Sequence, residues 1–235
     1  MNGLVIKSKM QILHCFADMG VESEVLSDYG TVYRIGHNVS DTNDSIPIQA
    51  DANDLPFSDS VTFDLGLFHP PCTKWSDMPS ADTENAPNLI PLSREIAHKH
   101  CEHWIIENKP RAPLQDPTHL DGGMFGLPIA YERAFETSFE VEQPPQQRTF
   151  NEATGQPFFY TEHSKEWWAA AKGYPPNYSA KHMSRNAVPR VALEYLLRAW
   201  IKATDSEERP DYTDYDKEMD AKRAQQSNQE LSAFQ

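Results

Sequence analysis

Phe63-Asp64-Leu65-Gly66-Leu67-Phe68-His69-Pro70-Pro71-Cys72 is the stretch on which the fold turns. Its short apolar run suits a buried strand of a parallel sheet. The two prolines that follow hold Cys72 on a stiff, extended turn, because each ring fixes its own φ and restricts the residue before it. A second stretch, Trp104-Ile105-Ile106-Glu107-Asn108, is another buried-type strand, and it ends in a carboxylate. Open α/β sheets gather their chemistry at the carboxyl ends of their strands, so a thiol and an acid delivered to one edge make an active-site arrangement. The pattern is that of an enzyme.

Working outward, further apolar runs recur at Met10 to Phe16, Thr31 to Ile35 and Ile46 to Ala50, separated by polar, turn-rich segments. Helical patterns lie between them: Gly20 to Ser27 is a short crossover, and Asn88 to Cys101 a longer one with Leu89, Leu92 and Ile96 on one face. The alternation predicts βαβ units in a doubly wound, mostly parallel sheet of Rossmann-like type. Arg133 to Val141 reads as one more strand, of antiparallel sense. Residues 142–181 turn to Pro, Gln, Gly and aromatics, an irregular insert too short for a second large domain. Pro189 to Ala203 returns to helix, with proline where its missing N–H costs little. Residues 204–235 are charged and Gln-rich, an acidic, polar C-terminal tail beyond a catalytic domain spanning 1–203.

The bulk composition narrows the class. A chain of 235 residues, 39% hydrophobic and 11% aromatic, supports one large core. No apolar stretch reaches the roughly 20 residues that span a bilayer, and the N-terminus lacks a signal-peptide core, so a soluble, cytoplasmic protein with no membrane partner is expected. Cys15, Cys72 and Cys101 form no CxxC pair and no metal-ligand spacing, which argues against a disulfide framework and against a bound metal. A net charge of -14 opposes binding to a polyanion. Much of that charge lies in the tail, however, whereas Lys109, Arg111, Arg133, Arg148, Lys181, Arg185 and Arg190 gather in the middle and later core.

Cys72 and Glu107 each admit two readings from residue type alone. Cys72 is either a thiolate nucleophile, activated at the sheet edge, or an inert buried thiol. Glu107 is either a desolvated acid or a carboxylate that caps a loop. Around them stand Pro110-Arg111-Ala112-Pro113-Leu114, Asp116-Pro117, Gly122-Gly123-Met124-Phe125-Gly126-Leu127, Glu132-Arg133-Ala134-Phe135-Glu136-Thr137-Ser138-Phe139 and Arg185-Asn186-Ala187-Val188-Pro189. Together with Pro-Pro-Cys and Glu-Asn, in this order over residues 10–200, they resemble the cytosine-C5 DNA methyltransferase family, in particular its compact phage and viral members.

The resemblance implies a methyltransferase fold, S-adenosylmethionine as cofactor and DNA as partner, with the target cytosine flipped out or presented unpaired. It casts Cys72 as the nucleophile at cytosine C6, Glu107 as the contact to N3 and the exocyclic amine, and Arg133 as the contact to the base oxygen. On the donor side it implies Phe16, Gly20, Asn38, Asp51, Pro70 and Asn186. Residues 142–181 then correspond to a reduced target-recognition segment, in which Gln146, Gln147 and Arg148 are candidate DNA contacts or simply a solvated loop.

The donor motif departs from the family pattern. Phe16-Ala17-Asp18-Met19-Gly20 keeps the phenylalanine and the last glycine of the Phe-x-Gly-x-Gly turn but puts Asp18 where a glycine stands, and Gly36-His37-Asn38 offers Asn38 where an acid binds ribose. Asp18 turns away from the donor, or the donor binds weakly, or the donor is a different molecule. A cytosine-modifying enzyme with another donor or a nucleotide substrate, and an inactive binding protein of the same fold, therefore stand as alternatives.

Overall fold

The computed structural model describes residues 9–40, 43–149 and 160–204. The sheet and the cavity beside it belong to one compact unit that ends at Trp200. The chain runs β1 (Met10–Cys15), α1 (Ser23–Leu26), β2 (Gly30–Gly36), β3 (Ile46–Gln49), β4 (Phe63–Phe68), α2 (Ile90–His100), β5 (Cys101–Asn108), β6 (Thr118–Leu120), β7 (Arg133–Thr137), α3 (Lys165–Lys172), α4 (Ala180–Arg185) and α5 (Arg190–Ala203).

The seven strands form one sheet in the order β3-β2-β1-β4-β5-β7-β6. Strands β1 to β5 pair in parallel, while β7 runs antiparallel to both β5 and β6. The order reverses direction between β1 and β4, and in such sheets this switch point opens a crevice at the strand ends. Leu13, Cys15, Ile35, Phe63, Phe68 and Ile106 form a buried apolar layer with Ile96 and Ala97 of α2, which packs against β4 and β5. Each fully buried Leu, Ile or Phe side chain among them contributes about 1.5–3 kcal/mol by leaving water.

The predicted strands at 10–16, 31–35, 46–50 and 63–68 are present to within a residue or two, and the one at 104–106 extends back to Cys101. Three expectations need correction. The crossover over 20–27 is helical only at Ser23–Leu26, because Gly20 takes a positive φ of 59° and ends any earlier helical turn. The strand from Arg133 stops at Thr137. The segment 142–181 is not irregular throughout: it contains α3 and the first residues of α4. Ser164 caps α3 by accepting from Trp167 N–H, Gly173 closes it at φ 78°, and Ser179 caps α4 by accepting from His182 N–H. Trp168 is buried within this helical pair, a packing residue, and its indole N–H donates to the Tyr160 carbonyl. Residues 150–159 of the segment, and the tail from 205 on, lie outside the described residues. No helix among the described residues is long and apolar enough to cross a membrane.

Candidate active site

Register, more than any single motif, builds the site. Alternate residues of a strand share a face, and partners in neighbouring strands sit side by side. His14 pairs with Arg34 on one side and Leu67 on the other, so Arg34, His14 and His69 share a face. Phe68 pairs with Ile106, which sets His69 beside Glu107 one step further on. Glu107 pairs with Phe135, two residues from Arg133 on the same face. A polar row, Arg34, His14, His69, Glu107 and Arg133, thus crosses five strands on the face opposite α2.

The row is tightly joined. His69 Nδ1 lies 3.1 Å from Glu107 Oε2. Arg133 Nε lies 2.8 Å from Glu107 Oε1, as an ion pair without the alignment of a hydrogen bond, so Oε1 keeps an acceptor direction for a ligand. The other Arg133 nitrogens donate to the carbonyls of Glu132 and Arg185, and its guanidinium lies 3.9 Å from the Tyr131 ring centre. Burial pushes the Glu107 carboxyl up, but the His69 hydrogen bond and the Arg133 charge outweigh it and hold the group below its ordinary value. Burial likewise pulls the His69 imidazole down, yet Glu22 and Glu107 leave it above the usual histidine value.

Cys72 follows the prolines at φ -93° and ψ 3°, the sparsely populated bridge region where many active-site residues sit. Asn108, fully buried at the end of β5, donates to the Pro70 carbonyl at 3.0 Å and so ties the Pro-Pro-Cys turn to the neighbouring strand. Burial raises the Cys72 pKa and the Glu107 charge adds to that, with Arg133 and Lys109 partly offsetting both. The thiol form therefore dominates near neutral pH in the ligand-free protein.

A cavity of about 500 Å³ opens at the switch point, within the range of cofactor and substrate sites. Phe16, Gly20, Asp51, Pro70, Cys72, Glu107, Arg133 and Asn186 all line it. Of the residues expected there, Asn38 alone does not: it is exposed, and the cavity wall near the end of β2 is formed instead by Gly36, His37 and Asp51. Asp51 Oδ1 accepts from the backbone and side chain of Asn53, and Oδ2 lies 3.7 Å from His37 Nε2. Asn186 is the exposed C-cap of α4.

The altered turn has its own internal support. Phe16 takes a positive φ of 60°, a conformation that non-glycine residues adopt at some cost. Asp18 directs Oδ1 to the Asn38 N–H at 3.1 Å, along the end of β2. A Cβ on Gly36 would sit 2.3 Å from that oxygen, so glycine at 36 makes room for the carboxylate at 18. Beneath the turn, the fully buried Arg34 guanidinium donates to the carbonyls of Ala17, Asp18 and Ser40 and to Ser45 Oγ. Gly20 has no room for a side chain, since a Cβ there would fall 2.1 Å from Arg34 Cδ. Sequence reasoning missed Arg34, which lies inside an apolar-looking strand. It also missed His14, Glu22 and His69, which line the same cavity.

No protein-family model matches the chain, and no curated protein matches its sequence. Among solved structures, the S. pombe Dnmt2 methyltransferase superposes with a TM-score of 0.53 at 10% identity, covering 84% of this chain and 100% of that one. The PH0226 protein from Pyrococcus horikoshii OT3 gives a TM-score of 0.32 at 17% identity over 48% of this chain and 59% of that one, too low to carry weight. The seven-stranded sheet and its flanking helices are those of the Rossmann-like methyltransferase fold.

Proposed function

We propose that this chain is a cytosine-C5 methyltransferase that acts on DNA with S-adenosylmethionine as donor. The observation that carries this reading is the convergence of Cys72, Glu107 and Arg133 on the cavity that the Phe16 to Gly20 turn and Asp51 also line. Three features of the donor side support it: the wall is close backbone at Gly20 and Gly36, Asp51 keeps one oxygen as an acceptor, and the Asp18 carboxylate, which also lines the cavity, has its Oδ1 held by the Asn38 N–H. Bound S-adenosylmethionine supplies an electrophilic methyl group.

Cys72, as thiolate, adds to cytosine C6, and the displaced electron pair makes C5 nucleophilic. Once C5 has taken the methyl group, loss of the C5 proton and expulsion of the Cys72 sulfur restore the aromatic ring. Glu107, as carboxylate, accepts from the exocyclic amine through the free acceptor direction of Oε1, and accepts from N3 once the ring, turned electron-rich by attack at C6, takes up a solvent proton there that it returns when the sulfur leaves; Arg133 faces the base oxygen. Because C6 is hidden in a duplex, the base enters unpaired or flipped.

The test is calorimetric titration with S-adenosylmethionine and its demethylated product, followed by mass spectrometry of cytosine from DNA incubated with protein and donor. Donor binding and a methyl increment on cytosine support the reading. An increment other than methyl assigns a different donor, and no binding and no increment overturn it.

A further inference from the structure

We infer that His14, Glu22 and His69 form a binding site for one divalent transition-metal ion of the Zn²⁺ or Co²⁺ class. His14 Nε2 lies 3.9 Å and His69 Nε2 4.0 Å from Glu22 Oε2, and the three ligand atoms lie within 4.8 Å of one another. Both Nε2 atoms are buried without a hydrogen-bond partner, an arrangement that costs free energy unless something fills the space between them.

What separates this cluster from an accidental one is how each ligand is held from behind. The second nitrogen of His14 meets Ser23 Oγ at 2.8 Å, and that of His69 meets Glu107 Oε2 at 3.1 Å. Glu22 Oε1 accepts from Val188 N–H at 2.8 Å, which leaves Oε2 turned to the two imidazoles. Every ligand thus has its outer atom bonded and its inner atom free, the outer-shell pattern that orients metal-binding histidines and carboxylates. Zinc to nitrogen or oxygen distances of about 2.0–2.2 Å need ligand atoms about 3.4 Å apart in a tetrahedron, so each side chain draws in by a few tenths of an ångström.

Two imidazoles and one carboxylate select a borderline cation over Mg²⁺ or Ca²⁺, which prefer all-oxygen cages. All three residues line the cavity, which gives the ion a route in and leaves its remaining coordination positions facing the cavity. No sequence spacing shows the site, because its ligands come from β1, the turn before α1 and the turn after β4.

The assignment does not depend on the proposed reaction, and its test uses no activity. Purified full-length protein is titrated with Co²⁺, followed by its visible ligand-field bands, and with Zn²⁺ by competition. One equivalent per chain is expected. Glu22→Gln, which keeps the acceptor for Val188, and His14→Gln are each expected to weaken binding by about a hundredfold, and Ser23→Ala by about tenfold. Thermal melts establish that each variant is folded. Zn K-edge X-ray absorption on the unsubstituted protein needs no variant: imidazole scattering with only nitrogen and oxygen neighbours supports the site. Absence of stoichiometric uptake, a sulfur neighbour, or unchanged binding in folded His14→Gln would overturn it.

Discussion

Cys72 is the one thiol of the three that sits in a reachable place. Cys15 is buried and its pKa is pushed up to about 12, and burial drives Cys101 further up. Alkylation by iodoacetamide should therefore fall on Cys72 alone. Because burial and the Glu107 carboxylate both favour the neutral thiol, its rate should climb with pH through the ordinary cysteine range and level off only above it. Glu107→Gln removes a nearby negative charge and should move that profile to lower pH, speeding alkylation severalfold at about pH 8. Lys109→Met removes a positive charge and should move it the other way. A profile unchanged by either substitution would mean that these charges do not reach the sulfur. Gly36 offers a second check at this scale. Gly36→Ala places a methyl against Asp18 Oδ1 and should cost about 1–3 kcal/mol in a thermal or denaturant melt.

At the scale of elements, the sheet edge is held by cross-strand polar ties that no single strand reveals. Asn108→Ala frees the Pro70 carbonyl and should destabilise by about 1–3 kcal/mol, read as a lowered midpoint of thermal unfolding. Arg34→Met removes the guanidinium that donates to the carbonyls of Ala17, Asp18 and Ser40. It should cost at least as much in the same melt, and should weaken donor binding because the turn loses its support. The long apolar runs announced their strands, as Phe63–Phe68 shows, because a fully buried strand must be apolar on both faces. The three-residue β6 carries too little pattern to read, and the proline-rich and aromatic composition around α3 and α4 hid helices whose caps, Ser164, Gly173 and Ser179, were in view. Cys72, Glu107 and Arg133 were legible as motifs. Arg34, His14, Glu22 and His69 were not, because their meeting depends on strand register, which sequence spacing within one strand does not encode.

For the molecule as a whole, the switch-point crevice gathers a thiol, an acid, an arginine and the altered turn into one cavity beside a methyltransferase-type sheet. The net charge of -14 bears on how the proposed DNA substrate approaches it. Several of the cations that looked available are engaged elsewhere: Arg190 pairs with Asp28 and Glu194, Arg111 with Asp77, and Arg133 is buried against Glu107. At most four of the seven are left to neutralise phosphates, so the affinity for an oligonucleotide should depend only modestly on salt, with a log–log slope no steeper than about -4. A much steeper slope in fluorescence anisotropy titrations would point to a larger basic surface. Covalent attack on the base is the role proposed for Cys72. It is tested most directly by incubating the protein with S-adenosylmethionine and an oligonucleotide carrying 5-fluorocytosine, whose fluorine cannot leave as a proton does. The expected result is a denaturation-resistant protein–DNA adduct attached through Cys72 and lost in Cys72→Ser. No adduct from protein that binds the donor, or an adduct that persists in Cys72→Ser, would contradict it.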